Sequence, residues 1–269
     1  MPFQLSTGLR VVPAVIALSL LSAIAQAGAS SRLDLVREHG VLRPCIWPDY
    51  YAVTYRDPRS GRLEGLDIDL ARALAQDLGV QVEFVETSFA NFMDDLEQGR
   101  CDVAMFGVGI TPARRERVDF TRPYLVSGIY GVAPKASRRI RAWGDVDRPG
   151  VVVAVQAGTF MEPFMRDYLS HARLMVVRAP QSREIEVQSG RADLFVTDYP
   201  YSRRMLDQHD WARLIAPEKP IGRTGYAYAV AKGQPEWLAR LDAFVASIRA
   251  DGRLEAAARR HALSPIVAR

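Results

Sequence analysis

The feature that most limits the fold of this chain is a strand–helix alternation that runs through its first half and restarts at Val151. A strand, an amphipathic helix and another strand in succession build a sheet with helices packed on it, since the crossover must return along the sheet. Val41 to Trp47 has the apolar content of a short strand, interrupted by Pro44. Leu66, Ile68, Leu70, Ala71, Leu74, Ala75 and Leu78 trace one helical face, which Gly79 ends. Asp67 and Asp69 fall in that helix's first turn, where carboxylates favour the positive end of the dipole. Val80 to Glu86 forms the next expected strand; Phe89, Phe92, Met93 and Leu96 form the next helical face, closed by Gly99. Asp102 to Val108 then has the character of a buried strand.

The second cycle begins with a strand at Val151 to Gln156. Thr159 and Glu162 have capping-box spacing for a following helix, in which Pro163 is tolerated because it lies in the first turn. Strands are expected at Leu174 to Val177 and Ala192 to Thr197, with a short helix from Glu184 to Ser189 before Gly190. Tyr226 to Ala231 is a further strand; Pro235 opens a long amphipathic helix through Ile248, stopped at Gly252 and followed by a shorter one to Ala262. Two α/β units in series, joined by extended segments near Ser127–Ala133 and Gly225–Ala231, predict two lobes with two crossings. Ligands of open α/β sheets collect at the carboxyl ends of strands, which makes the cleft between the lobes the expected site.

Residues 1–27 have the form of a secretory leader. Arg10 is their only charge, Val11 to Ala25 is an apolar run, and Ala25-Gln26-Ala27 offers small residues for cleavage. Pro13 and Ser19 leave the run short of the roughly 20 residues a membrane span needs. Cleavage near Ala27 and a mature chain outside the cytoplasm without a lipid anchor are therefore expected, since no cysteine immediately follows that site. In that compartment Cys45 and Cys101 could bridge or remain two buried thiols, and the sequence leaves both open.

Composition removes several classes. Net charge is +4, and the 35 basic residues, only three of them lysine, are scattered among 31 acids without a basic face, so nucleic acid is not an expected partner. The four histidines lack metal-ligand spacing, and two cysteines cannot build a four-thiolate site, so no metal is expected. There is no Gly-x-Ser-x-Gly elbow and no P-loop, and Gly107-Val108-Gly109 lacks the third glycine of a dinucleotide site. No cofactor is expected.

One stretch stands out: Gly107-Val108-Gly109-Ile110-Thr111-Pro112-Ala113-Arg114, then Val118-Asp119-Phe120-Thr121-Arg122-Pro123-Tyr124. A strand ends in glycines that admit a ligand to the backbone, and an arginine follows whose planar fork suits a carboxylate. The residue chemistry alone also allows a solvated arginine beside Arg115 and Arg117.

With Gly65-Leu66-Asp67-Ile68-Asp69-Leu70, Val155-Gln156-Ala157-Gly158-Thr159, Gly190-Arg191-Ala192-Asp193 and Ala250-Asp251-Gly252 in the same order and spacing, the chain resembles extracellular solute-binding proteins of family 3. These are the periplasmic binding proteins of polar amino-acid ABC transporters. The resemblance covers nearly the whole mature chain. It implies a two-lobed α/β fold of the type II periplasmic-binding kind: lobe one from 28–130 and 227–269, lobe two from 131–226, closing like a hinge on a ligand. By position it implies that Arg114 binds the ligand α-carboxylate, that Thr159 donates to the same group, and that Asp198 receives the α-ammonium. Tyr50 and Phe89 match the rings that sandwich the ligand side chain. Asp198 also reads as a helix N-cap ahead of Pro200, and Phe89 as plain core.

Gly107 and Gly109 depart from the family, many members of which carry hydroxyl residues there, so backbone amides must substitute or the ligand differs. Trp47 stands where binders of cationic amino acids often carry an acid, which argues against lysine or arginine and for a bulky apolar or aromatic ligand. Asp49 could restore a negative charge nearby. The expected function is a monomeric, non-enzymatic receptor that delivers an amino acid or related zwitterion to an inner-membrane ABC permease. The alternative is an enzyme on the same fold, for the chain is also similar to periplasmic cyclohexadienyl dehydratases at Asp49-Tyr50, Tyr55-Arg56, Thr87-Ser88, Ala104-Met105 and Pro123-Tyr124-Leu125. Their reaction takes carbon dioxide and water from prephenate or arogenate and needs a protonated acid for the leaving hydroxyl. Glu162, in the expected cleft-facing turn after Thr159, is the residue that resemblance would assign, although a capping glutamate explains it without chemistry.

Overall fold

The computed structural model describes Met1, residues 31–178 and residues 181–269; the leader expected over residues 1–27 lies, Met1 apart, outside the described residues. After a first helix, α1 (Arg32–His39), the chain enters two short strands, β1 (Val41–Leu42) and β2 (Pro44–Ile46), with Arg43 between them. A three-stranded flap follows, formed by β3 (Asp49–Tyr50), β4 (Thr54–Arg56) and β5 (Leu63–Glu64). Helix α2 (Leu66–Leu78) buries the apolar face read from its periodicity and ends at Gly79. The strand expected over Val80–Glu86 divides into β6 (Gln81–Val82), which pairs with β1, and β7 (Val85–Glu86), which pairs with β2.

Helix α3 covers only Phe92–Glu97, so Phe89 stands in the turn ahead of it instead of on its face. The central strand β8 (Val103–Gly109) is buried at all seven positions. Helix α4 (Pro112–Arg117), β9 (Val118–Phe120) and β10 (Leu125–Ser127) complete this passage.

The second lobe holds β11 (Tyr130–Pro134), β12 (Val152–Gln156), α5 (Met161–Tyr168), β13 (Arg173–Val177), α6 (Arg183–Gln188), β14 (Leu194–Thr197), α7 (Tyr199–Gln208) and β15 (Ala212–Ile215). The chain then returns through β16 (Thr224–Ala231), α8 (Pro235–Ala250) and α9 (Arg253–Arg260).

Both main sheets are mixed, not wholly parallel. In the first, ordered β10-β16-β8-β2-β7, the strands of the βα units run parallel while β16 runs antiparallel to β8 and β10. In the second, ordered β13-β12-β14-β11-β15, the crossing strand β11 runs antiparallel to β14 and β15. Each antiparallel member is the strand by which the chain arrives from the other lobe. Because β16 pairs within the first sheet from Thr224 onward, residues 224–226 lie in that sheet, ahead of the boundary expected at 227.

The crossings lie between Ser127 and Tyr130 and between Ile215 and Thr224, and they touch: Ile129 N donates to Ile221 O at 3.1 Å. Gly222 has φ +54°, and a Cβ there would sit 2.5 Å from Ile129 Cδ1, so only glycine lets the two crossing segments pack this closely. Cys45 and Cys101 form a disulfide that ties β2 to the entry of β8, which settles the pairing the sequence left open. Beside it Trp237 is fully buried and donates its indole N–H to Asp102 O at 2.8 Å, docking α8 on the same sheet.

Candidate functional site

The carboxyl ends of β2, β8, β12 and β14 converge where the lobes face each other, as α/β topology requires. Trp47, Tyr50, Phe89 and Tyr226 line the cleft from the first lobe; Thr159, Arg183, Asp198 and Tyr201 line it from the second. The aromatic wall is continuous. Trp47 lies 5.3 Å from Phe89 and 5.6 Å from Tyr50 between ring centroids, and it stacks across the cleft on Tyr201 at 6.3 Å.

Arg114 is set by its short helix: Pro112 occupies the first turn and the Thr111 hydroxyl accepts from Arg114 N at 3.2 Å. Its side chain is buried, so the solvated alternative does not hold. One arm of the guanidinium donates to Gly109 O in the first lobe at 2.6 Å and the other to Gly158 O in the second at 2.8 Å. The Phe92 and Phe89 rings lie under it, at 5.3 and 5.6 Å. Burial pulls its pKa down to about 10, which leaves it cationic at neutral pH. Arg114 and Gly109 stand at the edge of the site, bonded to each other, while the other five expected ligand residues (Trp47, Tyr50, Phe89, Thr159 and Asp198) line the cleft.

Gly158 marks where the lobes meet backbone to backbone. Its φ is +75°, and a Cβ there would lie 2.8 Å from Ala90 N. A side chain at this position would hold the lobes apart.

Asp198 lines the cleft and takes the N-cap position read for it. It caps α7 by accepting from Tyr201 N at 3.2 Å, and its other oxygen accepts from the Tyr226 hydroxyl at 2.6 Å and from the Tyr50 hydroxyl. Burial pushes its carboxyl up from the usual range, opposed by the two tyrosine hydroxyls. The same burial and the Asp198 charge push Tyr50 and Tyr226 well above the ordinary phenol value, so both act as donors.

The capping box expected of Thr159 and Glu162 does not form. Helix α5 starts two residues after Thr159, whose hydroxyl donates back to Gln156 O at 2.8 Å. Glu162 reaches Gly158 N at 2.9 Å and accepts from Arg166 at 3.0 Å. It does not line the cleft, contrary to the cleft-facing position expected of it. It holds the Gly158 turn instead.

A second buried carboxylate stands behind the first-lobe wall. Asp67, expected to serve the α2 dipole, turns inward to accept from Gly107 N at 2.9 Å, from the Tyr228 hydroxyl at 3.3 Å and from the Tyr124 hydroxyl. Burial pushes it up to about 7 against those three bonds. Gly107 itself lines the cleft, so Asp67 fixes one of its walls. Of the cleft residues, the sequence did not single out Arg183, Tyr201 or Tyr226. Arg183 follows Ser182, which caps α6, and nothing in that pattern marks which way the side chain turns.

Among the described residues there is no cluster of His, Cys, Asp and Glu able to hold a metal, and no helix is long and apolar enough to cross a membrane.

The family model for bacterial extracellular solute-binding proteins, family 3, matches residues 42–264. The chain is similar to the cyclohexadienyl dehydratase of Pseudomonas aeruginosa, 32% identical over 226 residues covering 84% of each chain. It is also similar to the L-cystine-binding protein TcyJ of Escherichia coli, 25% identical over 224 residues covering 83% of each. Among solved structures, the ancestral amino acid-binding protein AncCDT-1, a precursor of cyclohexadienyl dehydratase, superposes with a TM-score of 0.77 at 32% identity, covering 86% of this chain and 99% of that one.

Proposed function

The chain belongs to the bacterial extracellular solute-binding proteins of family 3, and from that premise we propose that it is the periplasmic substrate-binding component of an amino-acid ABC transporter. It captures a small carboxylate-bearing amino acid between lobes that close on the paired crossings and presents it to an inner-membrane permease. The observation that carries this reading is the seam itself. Arg114 bonds a carbonyl from each lobe, and Asp198 of the second lobe bonds tyrosines of the first, so the groups that suit a carboxylate and an ammonium are also the groups that hold the lobes together. A ligand that replaces these contacts is bound by both lobes at once, which couples binding to closure. In this reading Arg114 grips the carboxylate, with Thr159 and the backbone near Gly109 beside it. Asp198 receives the ammonium, and Trp47, Tyr50 and Phe89 hold the side chain.

A second reading, a cyclohexadienyl dehydratase, is favoured by the 32% identity to one. Its need for an acid in the cleft is poorly served by Glu162, which is engaged by Arg166 and Gly158 N and does not line the cleft. Thermal melting of the purified protein with each amino acid and with prephenate separates the readings, because a ligand of the folded state raises the midpoint. A rise with an amino acid and no turnover supports the binding protein. Release of phenylpyruvate from prephenate replaces it with the enzyme.

A further inference from the structure

Arg183 is a charged cleft residue that the proposed function does not use. It is 3% exposed, yet it lines the cleft. Its guanidinium lies 4.4 Å from the Tyr201 ring centroid and 5.1 Å from that of Phe195. One N–H donates to Val196 O at 3.0 Å, and the buried Nε has no partner. Among the described residues it forms no ion pair; Asp198 and Glu184 are the carboxylates whose charge it feels, Glu184 being bonded to the Tyr201 hydroxyl. A buried cation in the cleft wall without an ion-pair partner is costly unless an anion arrives to meet it. Arg204 and Arg213 also have a buried Nε without a partner among the described residues, so what marks Arg183 is its place in the cleft wall.

We propose that Arg183 is a second anion anchor, and that the preferred ligand is a small dicarboxylate with one carboxylate at Arg114 and the other at Arg183. This rests on the cleft being the ligand site, and it deepens that reading by naming the ligand class. The two arginines enter from different lobes, Arg114 on α4 and Arg183 on α6, so a ligand with two acidic ends bridges them. The planar forks suit carboxylates at both ends. The aromatic wall of Trp47, Phe89 and Tyr201 holds the apolar stretch between those ends.

The test is titration calorimetry on the full mature chain with L-glutamate, L-glutamine, L-aspartate, L-asparagine, glutarate and succinate. The expected result is at least tenfold tighter binding of an acid than of its amide. In Arg183→Gln that ratio should fall to within threefold while the amide still binds; Arg183→Lys, which keeps the charge without the fork, should fall between. Amides bound as tightly as acids by the wild type, or an unchanged preference in Arg183→Gln, would overturn the inference and leave the amino-acid reading standing. Arg183-dependent binding of glutarate or succinate with no amino acid bound does the reverse, and no binding of any of the six overturns the inference and leaves the amino-acid reading to the melting screen.

Discussion

Asp67 offers the sharpest check on how the cleft wall is held. Its carboxyl has an ordinary value of 3.8 and is pushed up to about 7 by burial. Between those pH values the folded chain holds a proton that the unfolded chain has released. The group's contribution to stability is therefore present in full below about pH 3.8, and it is lost as pH rises through about 7. At 1.36 kcal/mol per pH unit the loss is on the order of 4 kcal/mol. Asp67→Asn removes the titration and keeps the geometry. The amide oxygen can accept from Gly107 N and the Tyr124 hydroxyl, where one carboxylate oxygen now does, and the amide N–H can donate to the Tyr228 oxygen. Urea unfolding of both proteins from pH 4 to pH 8, followed by tryptophan fluorescence, measures the difference directly, since every other titrating group cancels. The two should agree at pH 4 within about 1 kcal/mol, and the variant should be the more stable at pH 8 by up to about 4 kcal/mol. Parallel curves, or a variant that is weaker at pH 8, would refute the argument, because they would mean that the ionised carboxylate is what the three donors require.

Cys45 and Cys101 close a loop of 56 residues, so removing both as alanine should cost about 4 kcal/mol on the chain-entropy account, roughly 10 °C in melting midpoint. Calorimetric melting of that variant checks it, and a shift below about 3 °C is too small for the account. Arg114→Ala removes a buried, charge-assisted donor pair and should weaken ligand binding by at least about a hundredfold by calorimetry, whereas affinity retained within about threefold removes the carboxylate role. Glu162→Gln, which leaves an acceptor for Gly158 N but loses the Arg166 pair, should change ligand affinity less than about threefold and stability by about 1 kcal/mol or less. A hundredfold loss of affinity in the same titration would return Glu162 to the site.

Periodic features were legible in the sequence and directional ones were not. Helix α2 lies where its apolar face and Gly79 put it, because seven apolar positions on one face leave no other way to bury them. The strand at Val80–Glu86 broke in two because β1 and β2, its partners, are themselves separated at Arg43, and pairing is a property of both strands. Phe89 reads as helix by spacing alone, yet the helix begins at Phe92, which frees its ring to face Trp47 and Arg114. Asp67 and Glu162 show the same limit in polar form. Each sits in a helix's first turn, where the dipole gives it a sufficient local reason to be, yet Asp67 is held by a backbone N–H from a distant strand and Glu162 by that of the turn ahead of its helix. Arg183 had no local pattern, because its meaning lies in the partner it lacks.

The charge balance of the cleft ties these residues to the choice between readings. Arg114 and Arg183 bring two positive charges into a site walled by aromatic rings, and Tyr50 and Tyr226 stay protonated. Asp198 decides the sum. Ionised, it leaves the cleft one positive charge in excess, which a zwitterion with an acidic side chain balances, and its carboxylate is free to take the ammonium. Protonated, as its burial favours, it leaves two, which a dicarboxylate without an ammonium balances. The protonation of Asp198, held between two tyrosine hydroxyls, therefore sets how much negative charge a ligand must bring to the two arginines.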